Sequence, residues 1–390
     1  MSKCSTRTLF DGGRPPLPDA SATDKLRVIF VEHTGQPGGG QLGIERYLGA
    51  DSGHDRRILF LESGPVSQRL SDQSVHVETL GDPTGRWFGL LRTPRLIARL
   101  RHSSYDVVVA NSMKAATAMV LAPRGNGVRV LYLRDDLNRE RLSAVRWWFL
   151  ARVVARSFDA FLANSAWTAS TIPAALGARP VRVAYPVSGT RCGGSLPATP
   201  SESLAILSLS RIAAWKGTHV LIEALGILEE RGVRFKATIA GSALFQSKKY
   251  EEQVRRMAAA LRSDVSFVGQ VSDVTTLLNS HNVLVSSNVT PEPFGQVLIQ
   301  GMSSGLAVVA TNIGGPIEIT EGGVSGLLVE ANSAESLADG LQQLSEVKSV
   351  RTRFVESGRQ RAAAFVDEVT VPALDDAITE LHASVMRGRG

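Results

Sequence analysis

At 390 residues the chain is longer than one hydrophobic core usually organises, and its 43% hydrophobic and 21% charged residues suit a water-soluble α/β protein, so two domains of roughly 150 to 200 residues each are expected. No apolar run approaches the roughly 18 to 20 residues that cross a bilayer, and the start, MSKCSTRTLFDGGRPPLPDASATDK, lacks an apolar signal core, so a cytoplasmic location is expected. The net charge of +6 is uneven: residues 1–187 hold 25 Lys/Arg against 16 Asp/Glu, the remainder 18 against 21, which suits the first half to phosphorylated substrates or an anionic membrane surface, while the lack of a basic-aromatic RNA motif or a recognition helix argues against nucleic acid.

Residues 1–24 read as a flexible tail, rich in Gly, Pro and Ser. Then LRVIFVEH (26–33), RILFLE (57–62), DVVVAN (106–111), RVLYLR (129–134), DAFLANS (159–165) and VRVAYP (181–186) are short β-branched runs of the kind found in buried parallel strands. Longer amphipathic segments, such as 92–102 and 139–157, lie between them. This alternation predicts a doubly wound parallel sheet over 25–187. SGTRCGGSLPATPSES (188–203) has almost no large apolar residue and reads as a linker. The alternation restarts with strands at 204–210, 234–241, 265–269, 281–287, 307–311 and 325–330, and helices at 217–231, 248–262, 295–304 and 333–346. Two such domains leave a cleft between the carboxyl ends of their strands, where open α/β sheets bind ligands. Cys4 and Cys192 fall in the tail and the linker without metal-ligand spacing, so neither a disulfide scaffold nor a metal site is expected.

In SLSRIAAWKG, Arg211 and Lys216 stand between a strand and a helix. Two cations there reach the same anion, a diphosphate being the natural candidate; the alternative is a pair of solvated surface charges. In TPEPFGQVLIQGMSSGLAVVATNIGG (290–315), Glu292 precedes a helix opening at Gly295, whose first-turn amides suit phosphate oxygens. An acceptor-only carboxylate beside them suits sugar hydroxyls, the alternative being a favourable partner of the helix dipole. Gly38, Gly40 and Gly43 spell G-x-G-x-x-G with Glu62 further on, which would make an NAD(P)-dependent enzyme, but HTGQP intervenes after the strand and breaks the fingerprint's context. The segment 139–160 interleaves Arg139, Arg141, Arg146, Arg152 and Arg156 with Trp147, Trp148 and Phe149. Such a helix either lies in a membrane interface, suiting a lipid-linked acceptor, or buries its aromatic face on the sheet.

SRIAAWKGTHVLIEAL, FVGQVSDVTTLL, PEPFGQVLIQGMSSGLAVVATNIGGPIEI and GVSGLLVE stand in the order and spacing of the GT4-type retaining glycosyltransferases of the GT-B fold, which the second domain resembles throughout. GGGQLGIERYL, YLRDDL and ANSAWTASTI are compatible with that family's first domain. The resemblance implies two Rossmann-like domains, 25–187 for the acceptor and 204–369 for the donor, with a last helix near 370–390 returning to the first. It implies sugar transfer from a UDP- or GDP-linked donor to a small-molecule, glycan or lipid-linked acceptor, by same-face attack assisted by the departing phosphate and with no metal or other cofactor.

By position, the resemblance implies that Arg211 and Lys216 bind the donor phosphates and that Glu292 holds the sugar hydroxyls beside the backbone of Phe294, Gly295 and Gln296. Val271 is expected near the base with Asp273 and Thr276 close by, and Gly241 in the donor site. Gly39 and Gly40 match the family's glycine loop, unless they form a plain turn. The family's second acid falls at Gln300, which keeps one acceptor for the ribose and loses the charge-assisted pair. Relatives often carry a histidine after the fourth strand; Tyr132, Arg134, Asp135 and Asp136 stand there instead, with Asp135 orienting the acceptor nucleophile or capping the next helix. A degenerate nucleotide-sugar binder is the competing reading.

Overall fold

The computed structural model describes residues 25–81, 105–122, 124–137, 143–176, 178–190, 203–243 and 248–390. The tail, the segment 92–102, Arg139, Arg141 and most of the linker, with Cys192, lie outside them. The short apolar runs form two parallel sheets. The first comprises β1 (Arg27–Glu32), β2 (Asp55–Phe60), β3 (His76–Thr79), β4 (Val107–Ala110), β5 (Val128–Leu133), β6 (Ala160–Ala163) and β7 (Val181–Val183) in the order β3-β2-β1-β4-β5-β6-β7. All six residues of β5 are buried, as a parallel strand covered on both faces requires.

Side chains alternate between faces along each strand. Val28, Phe30, Ile58 and Phe60 pack on Ile44 and Tyr47 of α1 (Gly39–Gly49), while Ile29, Val31, Leu59 and Leu131 face the opposite core. The other α-helices among the described residues of this half are α2 (Pro65–Asp72), α3 (Met113–Met119), α4 (Ala144–Phe149) and α5 (Ala166–Ser170). In the described part of the segment 139–157, α4 runs on into a π-turn at Leu150–Val154 and a 3-10 turn at Ala155–Ser157. The widening seats Leu150 and Val154 in the core beside Phe158.

The second sheet comprises β8 (Leu204–Leu209), β9 (Phe235–Ala240), β10 (Asp264–Gly269), β11 (Val283–Ser286), β12 (Ala307–Thr311) and β13 (Leu327–Val329) in the order β10-β9-β8-β11-β12-β13. Its helices are α6 (Thr218–Glu230), α7 (Lys248–Ala259), α8 (Val274–Asn279), α9 (Gln296–Ser303), α10 (Gly315–Ile319), α11 (Ala334–Glu346) and α12 (Lys348–Ala362). In both sheets the winding reverses at one place, between β1 and β4 and between β8 and β11. Those reversals open crevices at the carboxyl ends of the strands.

The last helix, α13 (Asp367–Arg389), lies on the first sheet, with Leu374, Ile378 and Leu381 in the core of Val28 and Phe30. Its Asp375 carboxylate accepts hydrogen bonds from the Tyr47 hydroxyl at 2.5 Å and the Ser52 hydroxyl at 2.6 Å. The chain thus crosses between the halves twice, and the crossings are bonded to each other. Asp367 N donates to the Thr190 carbonyl at 3.0 Å, Gly189 N to Asp367 Oδ1 at 2.9 Å, and Ser188 Oγ to the Phe365 carbonyl at 3.0 Å.

Candidate active site

The loops after β8 and β11, on either side of the second sheet's reversal, are stitched together by their backbones. Val289 N donates to the Trp215 carbonyl at 3.0 Å and Ser287 Oγ to the Gly217 carbonyl at 2.9 Å. This brings Lys216 to Glu292: the ammonium pairs with Glu292 Oε2, to which Asn288 Nδ2 also donates at 2.7 Å. The Trp215 ring lies 4.2 Å from the Lys216 ammonium and 5.7 Å from the Arg211 guanidinium carbon, an attraction between cation and ring face. Arg211 is exposed, while the Lys216 and Glu292 side chains are 14% and 16% exposed. Arg211 and Lys216 therefore share the Trp215 ring, and Lys216 joins them to Glu292.

Next to it, α9 begins at Gln296 after Gly295, and no side chain caps its first turn, so first-turn amides are available to a ligand. The double glycine that ends the 290–315 stretch has a packing reason. A Cβ on Gly314 would lie 2.4 Å from the Glu292 carbonyl oxygen, and one on Gly315 2.4 Å from that of Phe294. Gly315 N also donates to the Glu292 carbonyl at 2.7 Å.

The remaining expected residues divide. The Phe294 side chain is buried, stacked on Tyr185 of the first domain at 5.6 Å between ring centroids. Gln296 Nε2 donates to the Val187 carbonyl at 2.9 Å and Gln300 Nε2 to that of Ser188 at 3.3 Å; one turn apart on α9, they grip the first chain crossing. Gly241 supports the β8 loop, since its Cβ would lie 1.9 Å from the Ser210 carbonyl oxygen. Thr276 is exposed and held by Asp273, which caps α8 by accepting from Thr276 N at 3.0 Å. Val271 packs at the edge of the α9 core. In the first domain, Gly39 and Gly40 are the first helical residues of α1 and not loop, separated from β1 by the loop 33–38. Asp135 is exposed on the bend after β5. No cluster of three or more His, Cys, Asp or Glu suited to a metal occurs among the described residues.

A seam joining the domains beside Glu292 was not anticipated from sequence. Ser165 Oγ and Thr168 Oγ1 donate to the Pro293 carbonyl at 2.6 and 3.2 Å. Glu318 Oε2 accepts from Ala166 N at 2.8 Å, and its Oε1 from the Tyr185 hydroxyl at 2.8 Å. A carboxylate on α10 thus caps α5 of the other domain. Burial first, and then the Glu318 carboxylate, push the Tyr185 hydroxyl above its ordinary pKa, so it stays a donor. ANSAWTAS carries a Ser-x-x-Thr signal for the helix start, but nothing in the sequence pairs it with residue 318.

A glycosyl transferase 4-like profile matches residues 46–186, and the profile of the glycosyl transferases group 1 family matches residues 197–361. The chain belongs to this glycosyltransferase family. Among curated group 1 relatives, the lipopolysaccharide core biosynthesis glycosyltransferase LpsE of Rhizobium meliloti (strain 1021) is 30% identical over 190 residues, 48% of this chain and 52% of that protein. A phosphatidyl-myo-inositol mannosyltransferase of Mycobacterium leprae (strain TN) is 32% identical over 147 residues, 37% of this chain and 38% of that protein. The chain thus matches about half the length of such relatives, or less. Anabaena Alr3699/HepE, solved in complex with UDP and glucose, superposes with a TM-score of 0.75 at 24% identity, covering 92% of this chain and all of that one. The fold is GT-B, two Rossmann-like domains facing each other.

Proposed function

We propose that this group 1 family member is a retaining glycosyltransferase that moves a sugar from a UDP- or GDP-linked donor to an acceptor held mainly by the first domain, without a metal or other cofactor. The observation that carries the reading is the Arg211–Lys216–Glu292 group beside the uncapped first turn of α9. Two cations and a ring of backbone amides stabilise the departing diphosphate, so the electrostatic work is done by the protein's own groups. Glu292 serves the sugar hydroxyls, and Lys216 exchanges part of its pairing with Glu292 for phosphate oxygens when the donor arrives. Retention proceeds by attack of the acceptor hydroxyl on the face the diphosphate leaves, its proton passing to a phosphate oxygen as the bond to the leaving group breaks.

The acceptor is a glycan or a lipid-linked sugar presented at the inner face of a membrane. Val145, Trp148 and Phe149 of α4 are 78%, 56% and 38% exposed, with Arg146, Arg152 and Arg156 also exposed, a composition suited to an anionic interface. No described helix is long and apolar enough to cross a membrane. The names of the relatives, lipopolysaccharide core and phosphatidyl-myo-inositol enzymes, support an acceptor of this kind.

A screen of UDP- and GDP-sugars for thermal stabilisation and slow hydrolysis tests the proposal. Stabilisation by one donor series with hydrolysis is expected. Stabilisation without turnover would favour a degenerate binder, a reading that suits the bond of Gln300 to the Ser188 carbonyl, and, with NAD(P) added to the screen, stabilisation by it alone would overturn both.

The Gln300→Glu variant tests the ribose position. A carboxylate accepts charge-assisted bonds from both ribose hydroxyls and gives up the bond to Ser188, so calorimetry is expected to show nucleoside diphosphate binding tightened by roughly 3- to 10-fold. Unchanged or weaker affinity would leave Gln300 with the hinge alone.

A further inference from the structure

Arg134 brings a positive charge to the carboxyl end of β5 with no carboxylate of the described residues paired to it. Its guanidinium carbon lies 4.1 Å over the Tyr132 ring, and its Nε donates to Asn111 Oδ1 at 2.9 Å. Both supports are themselves fixed. Tyr132 is fully buried and its hydroxyl donates to the Ala184 carbonyl at 2.9 Å, while Asn111 Nδ2 donates to Glu32 Oε2 at 2.6 Å. Glu32 is wholly inaccessible and also accepts from His33 Nδ1 at 2.5 Å. Burial pushes the Glu32 carboxyl up, but the hydrogen bond and charge of His33, with Asn111, outweigh it and hold the group below the usual carboxylate range.

The anchoring uses the face and the Nε of the guanidinium. Its two terminal nitrogens have no hydrogen-bond or ion-pair partner among the described residues. Their place is set by α1: a Cβ on Gly40 would lie 3.1 Å from Arg134 Cδ, and one on Gly43 3.4 Å from Nη1 and 3.7 Å from the Val187 carbonyl oxygen. That carbonyl is the one Gln296 grips from the start of α9. The fork therefore stands against the start of α1, on the side of that helix where Gly43 also meets the Val187 carbonyl that Gln296 binds. A guanidinium held by its ring face and its Nε, with its terminal donors unpaired among the described residues, is arranged for a two-pronged bond to an oxyanion.

We infer that Arg134 binds an oxyanion of the nucleotide-sugar donor from the side of the first domain, either the diphosphate or a carboxylate on an acidic sugar. The inference rests on the donor-site reading above. Asn111 and Glu32 act as positioning residues for it.

Calorimetry on the full chain with uridine, UDP, UDP-glucose and UDP-glucuronate, and with guanosine, GDP and GDP-mannose, separates the two sources. If the fork holds the diphosphate, Arg134→Gln weakens every diphosphate ligand about tenfold or more while the phosphate-free nucleoside keeps its affinity. If it holds a sugar carboxylate, only UDP-glucuronate weakens. Arg134→Lys, which restores the charge without the fork, recovers part of the loss in either case. Wild-type binding with unchanged affinities in Arg134→Gln for all ligands would overturn the Arg134 assignment alone. A wild-type protein that binds none of them would overturn the donor site and this inference together.

Discussion

Replacing Lys216 by alanine is expected to slow sugar transfer by roughly 10²- to 10³-fold, the usual effect of removing one preorganised donor from a developing negative charge. Arg211→Ala should do the same, since both cations share the Trp215 platform. The structure adds a condition to the Lys216 result. Its ammonium also answers the Glu292 carboxylate, which would keep the hydrogen bond from Asn288 but lose its ion pair. Steady-state kinetics should therefore be accompanied by a melting curve. Loss of kcat with a melting temperature within a few degrees of wild type supports the phosphate role. Turnover within about threefold of wild type would remove Lys216 and Arg211 from the chemistry, because a stabilising transition-state contact has to appear in the rate.

The second large effect is on stability. Gly217 sits at φ +68, and a Cβ there would lie 1.8 Å from the Ser287 carbonyl oxygen. Gly217→Ala meets a left-handed backbone, costing about 1 to 2 kcal/mol, and must also push the β8 and β11 loops apart. A total loss of about 3 kcal/mol or more is expected, read as a drop of roughly 6 to 12 °C in melting temperature. Gly232 supplies the control. It has φ +75 with nothing within 4 Å of its added Cβ, so Gly232→Ala should show the backbone cost alone. Equal effects at the two positions would mean that the close approach of the loops is energetically unimportant.

The legible parts of the molecule share a physical origin. Buried parallel strands are continuous apolar runs, and ILSL or VVVA leave no ambiguity. β3 was not anticipated because HVET at a sheet edge is half polar and partly exposed. Nor was α12: KSVRTRFVESGRQRA is polar over most of its length and buries only Arg351, Phe354, Gly358 and Ala362, with Gly358 against Met302. The Arg211, Lys216 and Glu292 group could be read because its members follow strand ends at motif spacing. The seam of Ser165, Tyr185 and Glu318 could not, since it joins residues more than a hundred positions apart that become neighbours only when two separately folded sheets meet. Glu32 escaped for a related reason, since a charge at the end of an apolar strand looks like an ordinary solvated boundary until burial is known, and Arg134 was named only as a neighbour of Asp135.

The paired crossings at Ser188–Thr190 and Phe365–Asp367 give the molecule a mechanical character that neither sheet has alone. A single tether would let the halves twist and slide in any direction. Two strands of chain bonded side by side restrict such movement more than either would alone. The contacts of Glu318, Ser165 and Thr168 lie across the same junction and add to that restriction. Gln296 and Gln300 hold the first of these crossings from α9, so the start of that helix is tied directly to the junction of the two halves.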